Sequence, residues 1–144
     1  MLVGITLPKG ARVGRTPRVI LASASFADLL AFQMRSVGLP TPEREYRFAL
    51  SMKREWRFDF AFVAYGIAVE CEGLVVRKTS GRTAVSGRHA SITGMREDMV
   101  KYNSAIELGW SVLRFEKTHV VRGEAIAIIE RVLVAKGWRR ESTS

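Results

Sequence analysis

The sequence offers little sulfur or imidazole chemistry. Cys71 is its single cysteine, and His89 and His119 are its two histidines. One cysteine excludes an internal disulfide and a cysteine-based zinc site, and it is typical of proteins in a reducing cytoplasm. Two histidines likewise exclude a histidine-rich metal site.

Long apolar runs are also lacking, and so is negative charge at the start of the chain. No run approaches the roughly 18 apolar residues of a membrane span, so we expect no membrane segment. Residues 1–26 contain no acid, and their cations recur every three residues, at Lys9, Arg12, Arg15 and Arg18. In an extended, polyproline-like chain this spacing lines the cations along one edge. The sequence therefore predicts a basic arm over residues 1–22 that lies on phosphates; a loose tail and a targeting peptide are the alternatives.

What the chain does have is a globular composition with a large positive charge. Of its 144 residues, 47% are apolar and 26% are charged, which is enough for one domain with one core. The 23 Lys and Arg residues against 14 Asp and Glu residues give a net charge of +9. This charge favours a polyanion as the partner, and nucleic acid above all.

Hydrophobic spacing and turn residues predict an α/β domain over residues 23–138, followed by a short polar tail at 139–144. A helix is expected from Phe26 to Val37, ended by Gly38. The remaining elements are strands at 45–50, 56–63 and 66–72, a long basic loop at 74–94, a helix at 95–108 capped by Thr93, a strand at 110–115 and a helix at 122–136. This order predicts a central mixed sheet flanked by helices.

In the helix at 95–108, apolar residues recur at helical spacing. They form a stripe that we expect to face the core, made of Met95, Met99, Tyr102 and Ile106. Lys101 lies beside this stripe, where the core would give way to the surface.

Three acids interrupt the most apolar stretch, WRFDFAFVAYGIAVECEG, at residues 56–73. Because side chains alternate along a strand, this stretch predicts an apolar face with Phe58, Phe60 and Phe62. The opposite face would carry the acids Asp59, Glu70 and Glu72. Cys71 is expected in the core by the same alternation.

Two turns are compatible with a hairpin here. Closure between residues 64 and 67 sets Asp59 opposite Glu72, whereas closure between residues 63 and 66 sets Asp59 opposite Glu70. Either register brings carboxylates within about 4.5–8 Å of each other. Like charges this close require a cation between them, and Mg²⁺ with oxygen ligands is one solution. Surface ion pairs with Arg54, Arg57 or Lys101 are the alternative.

The spacing of these acids, D-x10-E-x-E across a hairpin, resembles the PD-(D/E)XK nuclease superfamily. The segments EYRF, WRFDFAF, AVECEG, GRHASITGMREDMVKYNSA and GWSVLRF are similar to its phage and bacterial branch, near Holliday junction resolvases and very-short-patch repair endonucleases. The resemblance covers about residues 43–133. It implies a single restriction-endonuclease-like domain, Mg²⁺-dependent hydrolysis of DNA with Mn²⁺ able to substitute, a homodimer, and a cytoplasmic location, in the host if a phage encodes the protein.

The resemblance also implies the ligands of a metal site. Asp59 would be the bridging ligand, Glu70 the second ligand and the backbone carbonyl of Cys71 the third. Glu45 resembles an upstream acid found in resolvase-like members, which would make it a further metal ligand; an inert turn acid is the alternative. His89 of the GRH motif is a catalytic candidate by the same resemblance, either as a contact to the scissile phosphate or in proton transfer to the leaving oxygen; an exposed loop histidine without a role is the alternative.

The chain departs from the superfamily where it has Glu72 in place of the usual lysine. Glu72 is then either a general base or an extra metal ligand, unless a lysine reaches in from elsewhere. Lys101 is the candidate for that lysine, and an ion pair with Glu97 is the alternative role for it. In the sequence-based interpretation Glu72 is essential and Lys101 has a smaller effect.

Arginines in and after the basic loop complete the expected DNA contacts: Arg82, Arg88 and Arg114. For Arg114, an ion pair with a carboxylate of the site is the alternative role. The sequence as a whole predicts a structure-selective endonuclease acting on branched four-way junctions. A nicking repair or restriction-type endonuclease is the nearest alternative. A non-catalytic DNA-binding protein on the nuclease fold is the alternative from another class, and the missing lysine keeps it open.

Overall fold

The computed structural model describes residues 25–73, 75–86 and 91–142. Its helices are α1 (Phe26–Ser36), α2 (Ile92–Glu107), α3 (Lys117–Val121) and α4 (Glu124–Ala135). Its strands are β1 (Glu43–Arg47), β2 (Arg57–Phe62), β3 (Ile67–Glu72), β4 (Val75–Thr79), β5 (Arg82–Ser86) and β6 (Ser111–Glu116). The residues that lie outside this description include Lys9, Arg12, Arg15 and Arg18 of the predicted arm, and Arg88 and His89.

A four-stranded mixed sheet forms the centre of the domain, in the order β1-β2-β3-β6. The pairs β1–β2 and β2–β3 are antiparallel, whereas β3 and β6 are parallel. Parallel neighbours need a crossover connection, and α2 lies within it. The predicted α/β class, with a mixed sheet flanked by helices, is confirmed.

A tight turn joins β2 to β3 and sets their register. A single 3-10 turn over Val63–Tyr65 ends at Gly66, which has φ 62° and donates its N–H to Val63 O at 3.2 Å. Glycine suits this left-handed position, and an added Cβ would also lie 3.3 Å from Gly109 O. Phe60 pairs with Val69 and Phe62 with Ile67. This is the second of the two predicted registers, closed between residues 63 and 66.

The sheet packs on both faces. Toward α1, α3 and α4 lies the larger core, with Leu30, Met34, Phe60, Phe62, Val69, Ile129 and Leu133 among its buried members. Toward α2 lies a smaller cluster made of Phe48, Ala49, Phe58, Ala61, Ala68 and Ala105. Cys71 packs against the larger core, as the sequence predicted.

The predicted alternation along β2 is wrong at Phe58, which packs in the α2-side cluster while Phe60 and Phe62 pack in the larger core. The β2–β3 pairing runs from Phe62–Ile67 to Phe60–Val69, and Asp59 is the next residue of β2 toward Phe58. Asp59 Oδ2 accepts the N–H of Cys71 at 2.6 Å. A side-chain acceptor therefore binds a β3 amide just beyond the Phe60–Val69 pair.

Helix α2 turns the opposite way from the sequence-based expectation. It begins at Ile92 rather than residue 95, because Ser91 and not Thr93 caps it: Ser91 Oγ accepts the N–H of Gly94 at 3.0 Å. Ala105 is the one buried residue of this helix. Met95, Met99 and Ile106 are exposed and Tyr102 is half-buried, so the predicted stripe does not face the core.

Two other segments differ from the expectation. The predicted loop at 74–94 contains the antiparallel hairpin β4–β5, which forms a two-stranded sheet of its own. Its turn residues Ser80 and Gly81 both have positive φ, 49° and 76°, which is typical of a type I′ hairpin turn. The predicted helix at 122–136 is preceded by the short α3. Within the described ranges, no helix is long and apolar enough to cross a membrane.

Candidate active site

Four charged residues lie in one row across the central sheet. Glu45 lies beside Asp59, because Arg44 pairs with Phe60 on one side of them and Tyr46 pairs with Phe58 on the other. Asp59 and Glu70 follow directly on the Phe60–Val69 pair and their side chains interact, and Glu70 pairs directly with Arg114 on β6. The hairpin and the crossover thus bring together acids that are far apart in the sequence.

Asp59 is fixed in place by the backbone of the neighbouring strand. The 2.6 Å hydrogen bond from the Cys71 N–H to Asp59 Oδ2 is charge-assisted and holds the carboxylate against β3. The side chain of Asp59 also interacts with that of Glu70.

Glu70 and Lys101 form a buried ion pair. Lys101 Nζ on α2 donates to Glu70 Oε1, and only 11% and 9% of the two side chains are exposed. Lys101 therefore pairs with Glu70 and not with Glu97, which was the alternative role considered for it. The ammonium also lies 5.9 Å from the ring centroid of Phe58 and 5.4 Å from that of Tyr102. These contacts orient Lys101 toward the sheet.

The environment of Glu70 favours its protonated form. Burial and, to a smaller extent, the nearby Asp59 raise the pKa of Glu70 against the opposing effect of the Lys101 ammonium, and the net result is a pKa of about 7. Burial and the same two carboxylates also raise the pKa of the Cys71 thiol to about 12. Cys71 is therefore a packed core thiol, not a nucleophile.

A cavity of about 380 Å³ opens in front of this row. Six acids line it, namely Glu45, Glu55, Asp59, Glu70, Glu97 and Asp98. Only two cations, Arg57 and Lys101, accompany them among the described lining residues. An acidic cavity in a chain of net charge +9 repels phosphate unless further positive charge enters it.

Glu45 lines this cavity with an unusual backbone. Its φ of 51° lies in the left-handed region, where a non-glycine residue costs about 1–2 kcal/mol. The strained residue is one of the acids that the sequence placed in the metal site.

Glu72 belongs to a separate cluster on the same side of the sheet. Arg114 Nε donates to Glu72 Oε1 at 2.6 Å, and the Tyr102 hydroxyl lies 3.2 Å from the same oxygen. The Arg114 guanidinium stacks 4.2 Å from the Tyr102 ring centroid. Glu72 is not among the described residues that line the cavity. Arg114 thus takes the second of its two expected roles, pairing with a carboxylate.

No family model, curated protein or solved structure matches this chain. A function for this chain must therefore be inferred from the chemistry of the cavity.

The residues present fit a Mg²⁺ ion held mainly by substrate and water. Within the described ranges, no three His, Cys, Asp or Glu side chains are grouped to hold a metal by themselves. Mg²⁺ does not need such a cage, because it binds through one or two carboxylates, several waters and substrate phosphates. Asp59 and Glu70 would be that pair of hard oxygen ligands; Asp59 already accepts the N–H of Cys71, and Glu70 already accepts from Lys101.

Several other acids of the cavity were not predicted to belong to it. Two of these acids, Glu97 and Asp98, line the cavity from α2, together with Gly94 and Lys101. Their three- and four-residue spacing places them on one face of the helix and was a usable signal. Glu55 has no such pattern. Among the other predicted site residues, Arg82 is exposed at the start of β5.

Proposed function

We propose that this protein is a Mg²⁺-dependent endonuclease that hydrolyses phosphodiester bonds in DNA and selects branched four-way junctions. One observation carries the proposal: two adjacent carboxylates, Asp59 and Glu70, share a cavity with the ammonium of Lys101. The single cysteine supports a reducing, cytoplasmic location.

Asp59, Glu70 and Lys101 would have different roles at this site. A bound Mg²⁺ would supply a water of lowered pKa and stabilise charge on the phosphate. Asp59, held by the Cys71 amide, and Glu70 would hold the ion. Lys101 enters the site from α2 and would donate a hydrogen bond to the attacking water or to a phosphate oxygen. Lys101 thereby supplies the cation that the chain lacks at Glu72.

The hairpin β4–β5 is the proposed DNA contact nearest to the site. Only residues 73 and 74 separate it from β3, the strand that carries Glu70. Residues 75–86 contain three cations, Arg77, Lys78 and Arg82, and no acid. A two-stranded ribbon has the width to enter the major groove, and phosphate contacts give affinity for any sequence. The basic arm would add further phosphate contacts.

A cleavage assay tests the proposal. A four-way junction, a matched duplex and a single strand are incubated with the protein and Mg²⁺. We expect the junction to be cut fastest, and Asp59→Asn to abolish cutting while binding is kept or tightened, because a metal ligand and a repulsive charge are lost together. Glu124→Gln, at the start of α4, is the matched acid-to-amide control. Failure of the wild type to cut any of the three substrates would contradict the proposal, and equal cutting of the duplex would favour a nicking or restriction-type enzyme.

One observation favours a second candidate, a non-catalytic DNA-binding protein. The Lys101–Glu70 ion pair already compensates one carboxylate without a metal. Under this alternative all three DNA substrates remain intact, although the protein binds them.

A further inference from the structure

The outer face of α2 is a stripe of large apolar side chains in contact with solvent. The exposed fractions are 71% for Ile92, 48% for Met95, 59% for Met99 and 63% for Ile106. These four residues recur at intervals of three, four and seven along the helix, so they lie on one line. A contiguous apolar surface of this kind is typical of a protein interface.

This outer face is separate from the candidate active site. At about 100° per residue, Met99 and Lys101 point to nearly opposite sides of α2. Lys101 points to the cavity, so a partner that covers Met99 leaves the cavity open. The outer face therefore has no role in the proposed chemistry.

Two charges of opposite sign flank the stripe along one edge. On the helical wheel, Arg96 and Glu107 lie about 60° and 80° to the same side of Met99. Both residues are exposed, and neither forms an ion pair within the described part of the chain. Arg96 lies near the start of α2 and Glu107 at its end.

We propose that this outer face binds a second copy of the chain, as an antiparallel α2–α2 pair about a twofold axis. In such a pair the same edges of both helices lie side by side, while their directions are reversed. Arg96 of one copy then lies beside Glu107 of the other, and this contact occurs twice. The apolar stripes of both copies pack against each other between the two ion pairs.

The charges also argue against two other occupants. DNA would leave the apolar stripe uncompensated and would repel Glu107. The first 26 residues of the same chain contain no acid, so they offer no partner for Arg96. A second copy covers the apolar stripe and pairs both charges. The same twofold axis then relates the two cavities.

Sedimentation equilibrium of the full chain, at micromolar concentration and low salt, tests the proposal. We expect the wild type to be a dimer. Met99→Glu should weaken the dimer by about 100-fold or more, because it buries an unpaired charge at the centre of the interface. Glu124→Arg on α4 is the control for a change of charge away from α2, and circular dichroism checks that each variant is folded.

A charge swap identifies the partner as a second copy. Arg96→Glu and Glu107→Arg should each weaken the dimer by about 10-fold, because each places like charges together twice. The double variant restores both pairs and should return to within about 3-fold of the wild type. A monomeric wild type, or a double variant weaker than both single variants, would overturn the proposal. Neither readout requires nuclease activity, so the result is independent of the proposed function.

Discussion

Lys101 of α2 donates a hydrogen bond to Glu70 of β3, in an ion pair that is almost fully buried. The pair links α2, the crossover helix, to β3 in the centre of the sheet. Besides this pair, α2 contacts the same side of the sheet through the buried Ala105 and through Tyr102, whose hydroxyl lies 3.2 Å from Glu72 Oε1. One ion pair therefore contributes to both the stability of the domain and the charge of the cavity.

Lys101→Met should destabilise the protein by about 3 kcal/mol at pH 8, because it leaves the Glu70 carboxylate buried without a partner. The loss should be smaller at pH 5, where Glu70 is protonated. Urea unfolding at both pH values measures the effect. Lys117→Met is the matched control, since Lys117 is exposed. Equal losses for the two variants would show that the buried ion pair stabilises the fold no more than an exposed lysine does.

The two candidates for the missing lysine can be ranked by rate. The geometry favours Lys101, which lines the cavity, over Glu72, which is engaged by Arg114 and Tyr102. We expect Lys101→Ala to slow single-turnover cleavage of a junction by about 100-fold or more, and Glu72→Gln by about 10-fold at most. The sequence alone favoured the reverse order. A larger loss for Glu72→Gln at saturating Mg²⁺ would restore Glu72 as the general base.

The raised pKa of Glu70 makes stability depend on pH. Folding raises this pKa from 4.5 to about 7, so the folded protein binds the proton more tightly than the unfolded chain does. The contribution of Glu70 to the free energy of unfolding is therefore present below pH 4.5 and is lost as the pH rises toward 7. Denaturant unfolding in chelator across this window measures the loss. Glu70→Gln should flatten the dependence; an unchanged slope would show that other groups cause it.

Arg82 tests the hairpin as a DNA contact. If its guanidinium binds one phosphate, Arg82→Ala should reduce the slope of log affinity against log salt by about 0.9. Arg131→Ala, an exposed arginine on α4, is the control. Binding is measured in Ca²⁺ or chelator, so that cleavage does not interfere. Equal slopes for the two variants would remove Arg82 from the interface.

Local patterns predicted the β2–β3 hairpin well. Alternating apolar residues and a turn ending at Gly66 identified both strands, and one of the two proposed registers is the observed one. The hairpin β4–β5 was missed, although Ser80-Gly81 between two segments that contain Val and Thr was a signal for a two-residue turn. Phe58 could not be assigned correctly, because alternation along one strand does not show which of the two clusters accepts its ring.

The orientation of α2 was the largest error, and it has a physical reason. A helical wheel shows which side chains share a face, but not which face the sheet can accept. The sheet face toward α2 carries the small side chains of Ala61 and Ala68, which pack with Ala105. It also carries the carboxylate of Glu70, which pairs with the ammonium of Lys101. The larger Met99 and Ile106 remain outside.

The parallel pairing of β3 with β6 also sets an order of assembly. Asp59 and Glu70 meet through a local hairpin, whose short loop closes at little entropic cost. Lys101 comes with the long crossover, and such non-local pairing is slow to form. We therefore expect the two carboxylates to come together during folding before their cation arrives, and mild acid, by protonating one of them, to speed this early step.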